Sequence, residues 1–478
     1  VSEATSTGGD GGTAAMAISQ RRSPPPPRFV TGSLLRHILV MTGTGAVGLM
    51  AVFAGDLVNM IFLGLLRDAD VIAAVGYASS ILFFTISIGI GLSIAATSLV
   101  SPQLGAGKRV MARRLSGSAH LLTLIAGAVL AVLVFAGIPH LLRLLGAEGR
   151  AFDLAAAYLR ILVPFMVPLA LGMTASAVLR SLGDAKRAMY VTLGGAILNT
   201  ILDPIFIFAL GLGIEGAALA SAISRIAVMG IGLYGVAVVH DMLGRPSLRR
   251  MRSDARDLAR IAIPAVLTNV ATPVGNAFVT AAISPFGVGA VAGWAIVGRI
   301  LPVAFGAIYA LSGSVGPILG QNYGARDFER MRQTLRLSLY VMLAFTLVAW
   351  AALAVLAEPL VAAFHATGEA ADLIRLFCRS LAPLFAFLGA LYIANASFNT
   401  LGRARLSSVL NWGRATVGTL PVVALGAHLG GAAGVLAGNM LGGIPFGALA
   451  VWLSFRHVRQ LQAADAAPPG GKPSDSSA

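Results

Sequence analysis

Twelve long apolar runs, at approximately 37–65, 71–98, 115–138, 155–178, 188–210, 214–239, 258–283, 287–317, 335–357, 373–398, 405–427 and 430–455, alternate with short polar segments along this chain. Each run reaches the roughly 20 residues that carry a helix across a hydrocarbon layer about 30 Å thick. Inside lipid only a helix satisfies every backbone group within one segment, so the runs predict twelve transmembrane helices.

The pattern also repeats. A shift of 219 residues lays Gly105 on Gly324, Asp153 on Asp372, Pro164 on Pro383 and Gly183 on Gly402, within the paired strings QLGAGKR/NYGARDF and RSLGDAKR/NTLGRARL. Six helices per repeat is an even number, so both repeats enter the membrane from the same side and are related by an axis along its normal. The predicted fold is all-α: a polytopic membrane protein with 12 transmembrane helices in two pseudo-symmetric six-helix bundles, 35–240 and 258–457, joined by a linker at 241–257. The arm 1–34, with TSTGGDGGT and the run Pro24 to Pro27, and the tail 458–478 are too poor in apolar residues to build a core and are expected to be disordered.

Composition removes the soluble alternatives. Hydrophobic residues make up 57% of the 478 and charged ones 12%, too few to coat a globule of this size. The net charge of +15 would suit a nucleic-acid partner if it lay on one surface. It falls instead in short clusters between apolar runs: Arg21, Arg22, Arg28 and Arg36; Lys108 to Arg114; Arg180, Lys186 and Arg187; Arg245 to Arg260; Arg326 to Arg336; Arg403, Arg405 and Arg414; Arg456 and Arg459. The opposite segments hold only Arg67, Arg143, Arg150, Arg160, Arg375 and Arg379, an asymmetry that predicts both termini in the cytoplasm of a bacterial inner membrane. Cys378 is the one cysteine and has no intrachain disulfide partner. Matches to G-x-G-x-x-G at Gly43, Gly211 and Gly230 follow no strand and fit close helix packing. Asp68-Ala-Asp70 sits in a short loop without a catalytic partner.

Chemistry concentrates on two acids. Asp56 and Asp203 are embedded in apolar helical sequence, where a charged carboxylate costs on the order of 3 kcal/mol to hold. Such a group keeps a proton until a cation displaces it. Asn199 lies one turn before Asp203 and shares its face. Plainer roles exist beside these: Asp203 could serve backbone groups freed by Pro204, and Asp56 could pair with Arg225 or Arg299.

The string Asn199-Thr-Ile-Leu-Asp203-Pro204, followed by Gly211-Leu-Gly-Ile-Glu-Gly216, with Gln321 to Ala325 and the long basic loop Arg245 to Arg260, resembles the multidrug and toxic compound extrusion (MATE) family over residues 35 to 455, and within it the DinF-like branch. The resemblance implies a cation-coupling and substrate-binding network of Asp56, Tyr158, Asn199, Asp203 and Ser221, with Ser221 where the family often has Thr. Tyr158 could instead anchor at the interface, and Ser221 could bond back to its own helix. The implied activity is antiport: H⁺ or Na⁺ enters while organic cations or other amphipathic toxic compounds leave by alternating access. No enzyme chemistry, resident metal or cofactor is expected beyond the coupling ion, and Na⁺ would sit at Asp56, Asn199 and Asp203. The expected partners are small amphipathic molecules and the lipid bilayer, with no nucleic acid and a monomeric state. Two departures stand out: the first helix has no proline, leaving Gly43, Gly45, Gly48 and Gly55 to supply flexibility, and the second half offers no carboxylate for a sodium site. Flipping of a lipid-linked saccharide would need a cationic cleft, for which only Arg225 and Arg299 are available; intramembrane enzyme chemistry at the two aspartates lacks a second-half element.

Overall fold

The computed structural model describes residues 27–466, which form helices and their connections. The first half comprises α1 (Leu34–Leu65), α2 (Ala69–Gly105), α3 (Arg109–Leu144), α4 in two pieces (Gly149–Leu162 and Met166–Leu182), α5 (Ala185–Ala209) and α6 (Gly213–Val239). The second half comprises α7 (Met251–Ile283), α8 in two pieces (Val288–Ala304 and Gly306–Gly324), α9 (Phe328–Ala363) and α10 (Gly368–Thr400). The 63-residue stretch Ala404–Ala466 then folds back at Gly430 and Gly431, whose backbone leaves helical geometry, and so supplies both α11 (404–429) and α12 (432–466). Among the described residues twelve spans result, as the apolar runs predict.

Several helices outrun their apolar stretches. α3 has 36 residues and so extends about 54 Å, further than hydrocarbon requires. Hydropathy measures the thickness of the lipid, while the helix continues into polar surroundings on Arg109 to Leu115. By the same logic α7 begins at Met251, inside the expected linker 241–257. There Asp254 is buried and held by Arg114 at 2.6 Å and Ser118 at 2.7 Å.

The repeat has a physical basis in the turns. Asp184 N–H donates to the Leu179 carbonyl at 2.9 Å and Arg403 N–H to the Phe398 carbonyl at 2.8 Å, the same helix-stop motif 219 residues apart. Each places glycine in the left-handed region, Gly183 at φ 81° and Gly402 at φ 85°, where a Cβ would clash with the backbone. Gly149 at φ 57° and Gly368 at φ 54° open α4 and α10 in the same way. Pro164 and Pro383 mark a shared break: α4 bends by 51° there, while α10 passes through a widened π turn at Phe377–Leu381.

The halves meet most closely at the end of the molecule where the described chain starts and finishes, beside Phe29 and Asp465. A Cβ on Gly105 would lie 1.9 Å from the Gln321 carbonyl oxygen, and one on Gly324 would lie 1.9 Å from the Pro102 oxygen. These two contacts are mirror copies, since Pro102 and Gln321 are themselves one repeat apart, so the pseudo-axis passes through this seam. Gln321 also bridges it with its side chain, donating to the Ser181 carbonyl at 2.7 Å and accepting from Phe29 N–H at 2.8 Å.

That last contact revises the expected arm. Where 1–34 overlaps the described residues, at 27–34, the chain is packed: Phe29 is 1% exposed, Arg28 donates to the Gly183 carbonyl, and Arg330 donates to the carbonyls of Phe29 and Gly32. Residues 1–26 lie outside the described residues. The tail is shorter than expected as well: α12 runs past 458 to Ala466, tied down by Gln462 and Asp465, which contact Arg332 and Arg326. Residues 467–478 lie outside the described residues.

Candidate ion-coupling site

Asp203 stands at the point where α5 changes character. Pro204 has no N–H to donate, so the regular i to i+4 ladder cannot continue across it, and the last turn, Ile205–Ala209, is a π turn. The carboxylate just before this irregularity is fully buried. Its Oδ2 accepts two amide hydrogen bonds, from Asn199 Nδ2 at 2.9 Å and Asn59 Nδ2 at 2.8 Å. Its Oδ1 is buried and accepts none. The carboxylate therefore serves side chains from two helices, and no backbone group freed by Pro204 claims it.

Asn59 was not among the residues picked from sequence. It lies three positions after Asp56 on α1, on the same helical face, and that Asp-x-x-Asn spacing was the available signal. Through it, α1 and α5 share one site. Asp56 itself is exposed and closes no hydrogen bond or ion pair among the described residues, although Arg225 is its nearest opposite charge. Arg225 Nη1 donates instead to the Leu162 carbonyl at 3.3 Å, an acceptor released by the α4 break. Tyr158, buried on α4, lies beside Ser221 and within electrostatic reach of Arg225, Asp203 and Asp56. The five residues named from sequence thus converge, with Asn59 and Arg225 added.

Helix α1 is continuous through this region. A Cβ at Gly48 would fall 2.2 Å from Thr192 Oγ1, one at Gly55 would fall 3.4 Å from Thr200 Oγ1, and one at Gly45 would fall 3.4 Å from Ala310. Three of its five glycines are thus seats for α5 and α8, while Gly43 and Gly64 face open space. An apolar cavity of about 270 Å³ lies between α1 and α5, lined by Ala51, Ala54, Val58, Ala196, Ile197 and Ile201 among others.

At the terminal end of α5, outside the membrane-spanning part, Asp184 caps the helix. Burial raises its carboxyl, but hydrogen bonds from Arg187 and His240 outweigh that and hold it below the ordinary carboxylate value. Asp68, at the other end of the molecule, caps α2 and pairs with Arg150 at 2.8 Å.

The second half carries a different charge. Arg414, grouped from sequence with the basic loop at Arg403 and Arg405, lies ten residues into α11 and is only 9% exposed. Between these arginines Ser407 and Asn411 are buried against α10 through Asn399 and Asn395, and Ser408 donates to the Pro264 carbonyl of α7.

A family model described as MatE matches residues 46–205 and 264–425. The chain is 30% identical over 438 residues to a protein of Shewanella oneidensis named FAD transporter, an alignment covering 90% of this chain and 96% of that one. It is 25% identical over 293 residues to the multidrug export protein MepA of Staphylococcus saprophyticus, covering 60% and 64%. A crystal structure of the Vibrio cholerae MATE transporter VcmN superposes with a TM-score of 0.83 at 28% identity, covering 90% of this chain and 98% of that one.

Proposed function

The chain belongs to the MatE family of multi-pass membrane transporters, and from that premise we propose that it is a proton-driven antiporter exporting amphipathic compounds across a bacterial inner membrane, with both termini in the cytoplasm. One observation carries the coupling: a fully buried carboxylate whose Oδ1 has no partner while two amides hold its Oδ2. The free oxygen is a place for a proton. Sodium fits this geometry poorly, because Asn59 and Asn199 both turn N–H groups toward Asp203 where a metal ion would want oxygens.

In this reading the seam at Gly105 and Gly324 closes the cytoplasmic side while Asp56 faces outward. A proton arriving from outside passes the exposed Asp56 and settles on Asp203, and Tyr158 and Ser221 offer hydroxyls that both donate and accept along the way. One charge crossing 100 mV yields about 2.3 kcal/mol, roughly a fiftyfold gradient of exported compound. The chain needs no bond-making step for this, only exchange of protonation with a change of the open side. The relatives frame two kinds of cargo: MepA is named a multidrug exporter, and the longer match is named an FAD transporter.

The test is efflux from vesicles containing the purified protein, with a cationic dye and a flavin nucleotide as separate cargoes. An imposed proton gradient should drive at least one of them, and a sodium gradient at constant pH should not. Efflux that follows sodium alone would overturn the proton assignment.

A further inference from the structure

We infer that Arg414, with the aromatic row beside it, forms a subsite in the second half for the acidic group of a planar organic anion. The inference rests on the transport reading above and extends it to the chemistry of the cargo.

Arg414 lies ten residues, about 15 Å, inside α11, close to the middle of a hydrocarbon layer. A cation at that depth is expensive unless something answers its charge. Among the described residues nothing does: no carboxylate pairs with it, its guanidinium donates no hydrogen bond to protein, and its Nε is buried without a partner. Among the described residues the acids of the second half sit toward helix ends, at Asp254, Asp257, Asp327, Glu329, Glu358, Glu369, Asp372 and Asp465, and none lies within α11 or in α12 before Asp465. Depth also decides between sources of an anion, since a lipid headgroup belongs at the interface about 15 Å away. The missing charge therefore comes with the cargo.

The neighbours define its body. Tyr309 of α8 and Tyr392 of α10 lie within electrostatic reach of Arg414, and their rings stand 5.4 Å apart. Phe385 packs edge-on to Tyr309 at 6.1 Å and stacks on Phe305 at 4.1 Å. Both phenylalanines are fully buried and back the two tyrosines, which are only partly buried. Tyrosine rings beside a guanidinium suit a flat ring that bears a carboxylate, sulfonate or phosphate, since the ring packs on them and the planar fork of Arg takes two oxygens at once.

The experiment uses a matched fluorescent pair, 4-methylumbelliferyl phosphate and its neutral 7-methoxy counterpart, titrated into the full-length protein in detergent. The wild type should bind the phosphate at least about tenfold more tightly, a difference of about 1.4 kcal/mol. Arg414→Gln should erase that preference and leave the neutral compound's affinity in place, while Arg414→Lys should keep part of it. Equal binding of the two by the wild type, which needs no variant to fold, overturns the inference, as does a preference that survives in Arg414→Gln. Because binding is read without any gradient, loss of proton coupling in vesicles would leave this result standing, and the converse holds too.

Discussion

The two halves share their turns and differ in their charges. Gly149 and Gly368, Pro164 and Pro383, and Gly183 and Gly402 hold equivalent positions with equivalent geometry. Carried one repeat forward, however, Asp56, Asn59, Tyr158, Asn199, Asp203, Ser221 and Arg225 become Gly275, Phe278, Phe377, Gly418, Val422, Met440 and Ile444. In the opposite direction Arg414 becomes Gly195. Backbone stops must be copied because left-handed φ and a missing N–H tolerate few residue types. Interior side chains are free to diverge wherever helix spacing allows. Spacing does not allow it in α11, where Gly418 meets Gly442, Val422 meets Gly438 and Gly426 meets Gly434 with the backbones almost touching. This packing of α11 on α12 leaves little room for larger side chains along that face, and the charges α11 does carry, Arg405 and Arg414, are of the opposite sign.

That contrast can be broken most severely at Asp203. Asp203→Asn should reduce proton-driven efflux in vesicles to passive leak while the protein still inserts and melts cooperatively, and adding Val422→Asp should not restore it. Recovery in the double variant would mean the halves are interchangeable. The next largest effect belongs to the seam they share. Gly105→Val drives a side chain into the Gln321 carbonyl and should cost about 3 kcal/mol of stability. The same change should raise the labelling rate of a cysteine placed at the buried Thr97 in a Cys378→Ser background; an unchanged melting temperature and labelling rate would remove the seam from the closed state.

The smallest effect contrasts Asp184 with its counterpart Arg403, which caps nothing through its side chain. Asp184 is held below the ordinary value of 3.8, so its contribution is complete above that value and fades as pH falls through the lowered one. Asp184→Asn should therefore destabilise by roughly 1 kcal/mol at pH 7, with the gap to wild type closing as the pH falls through the lowered carboxyl value. A gap that persists in acid would show that the hydrogen-bond geometry, not the charge, matters.

Much of this was legible in the chain. Twelve spans follow from apolar runs because lipid imposes one length on every crossing, and Asn199 with Asp203 follows from a single helical turn. Asn59 escaped because an uncharged amide in an apolar helix carries little signal until its neighbour across the site is known. Arg414 was counted with the cytoplasmic cluster although it falls inside the predicted run 405–427, because a basic residue in the first turns of a helix reads, in sequence alone, like one at the membrane face. Phe29 lay hidden beside a proline run, its burial depending on residues nearly three hundred positions away.

That distance bears on how the molecule is made. At roughly 5–20 residues per second, the ribosome needs on the order of 15 to 60 s after Phe29 before Gln321 exists. During that interval the first helices lie in the membrane with Gly105 facing lipid or chaperone and the Phe29 amide unclaimed. A newborn first half consequently cannot form this seam, which closes only when the second half arrives to complete it.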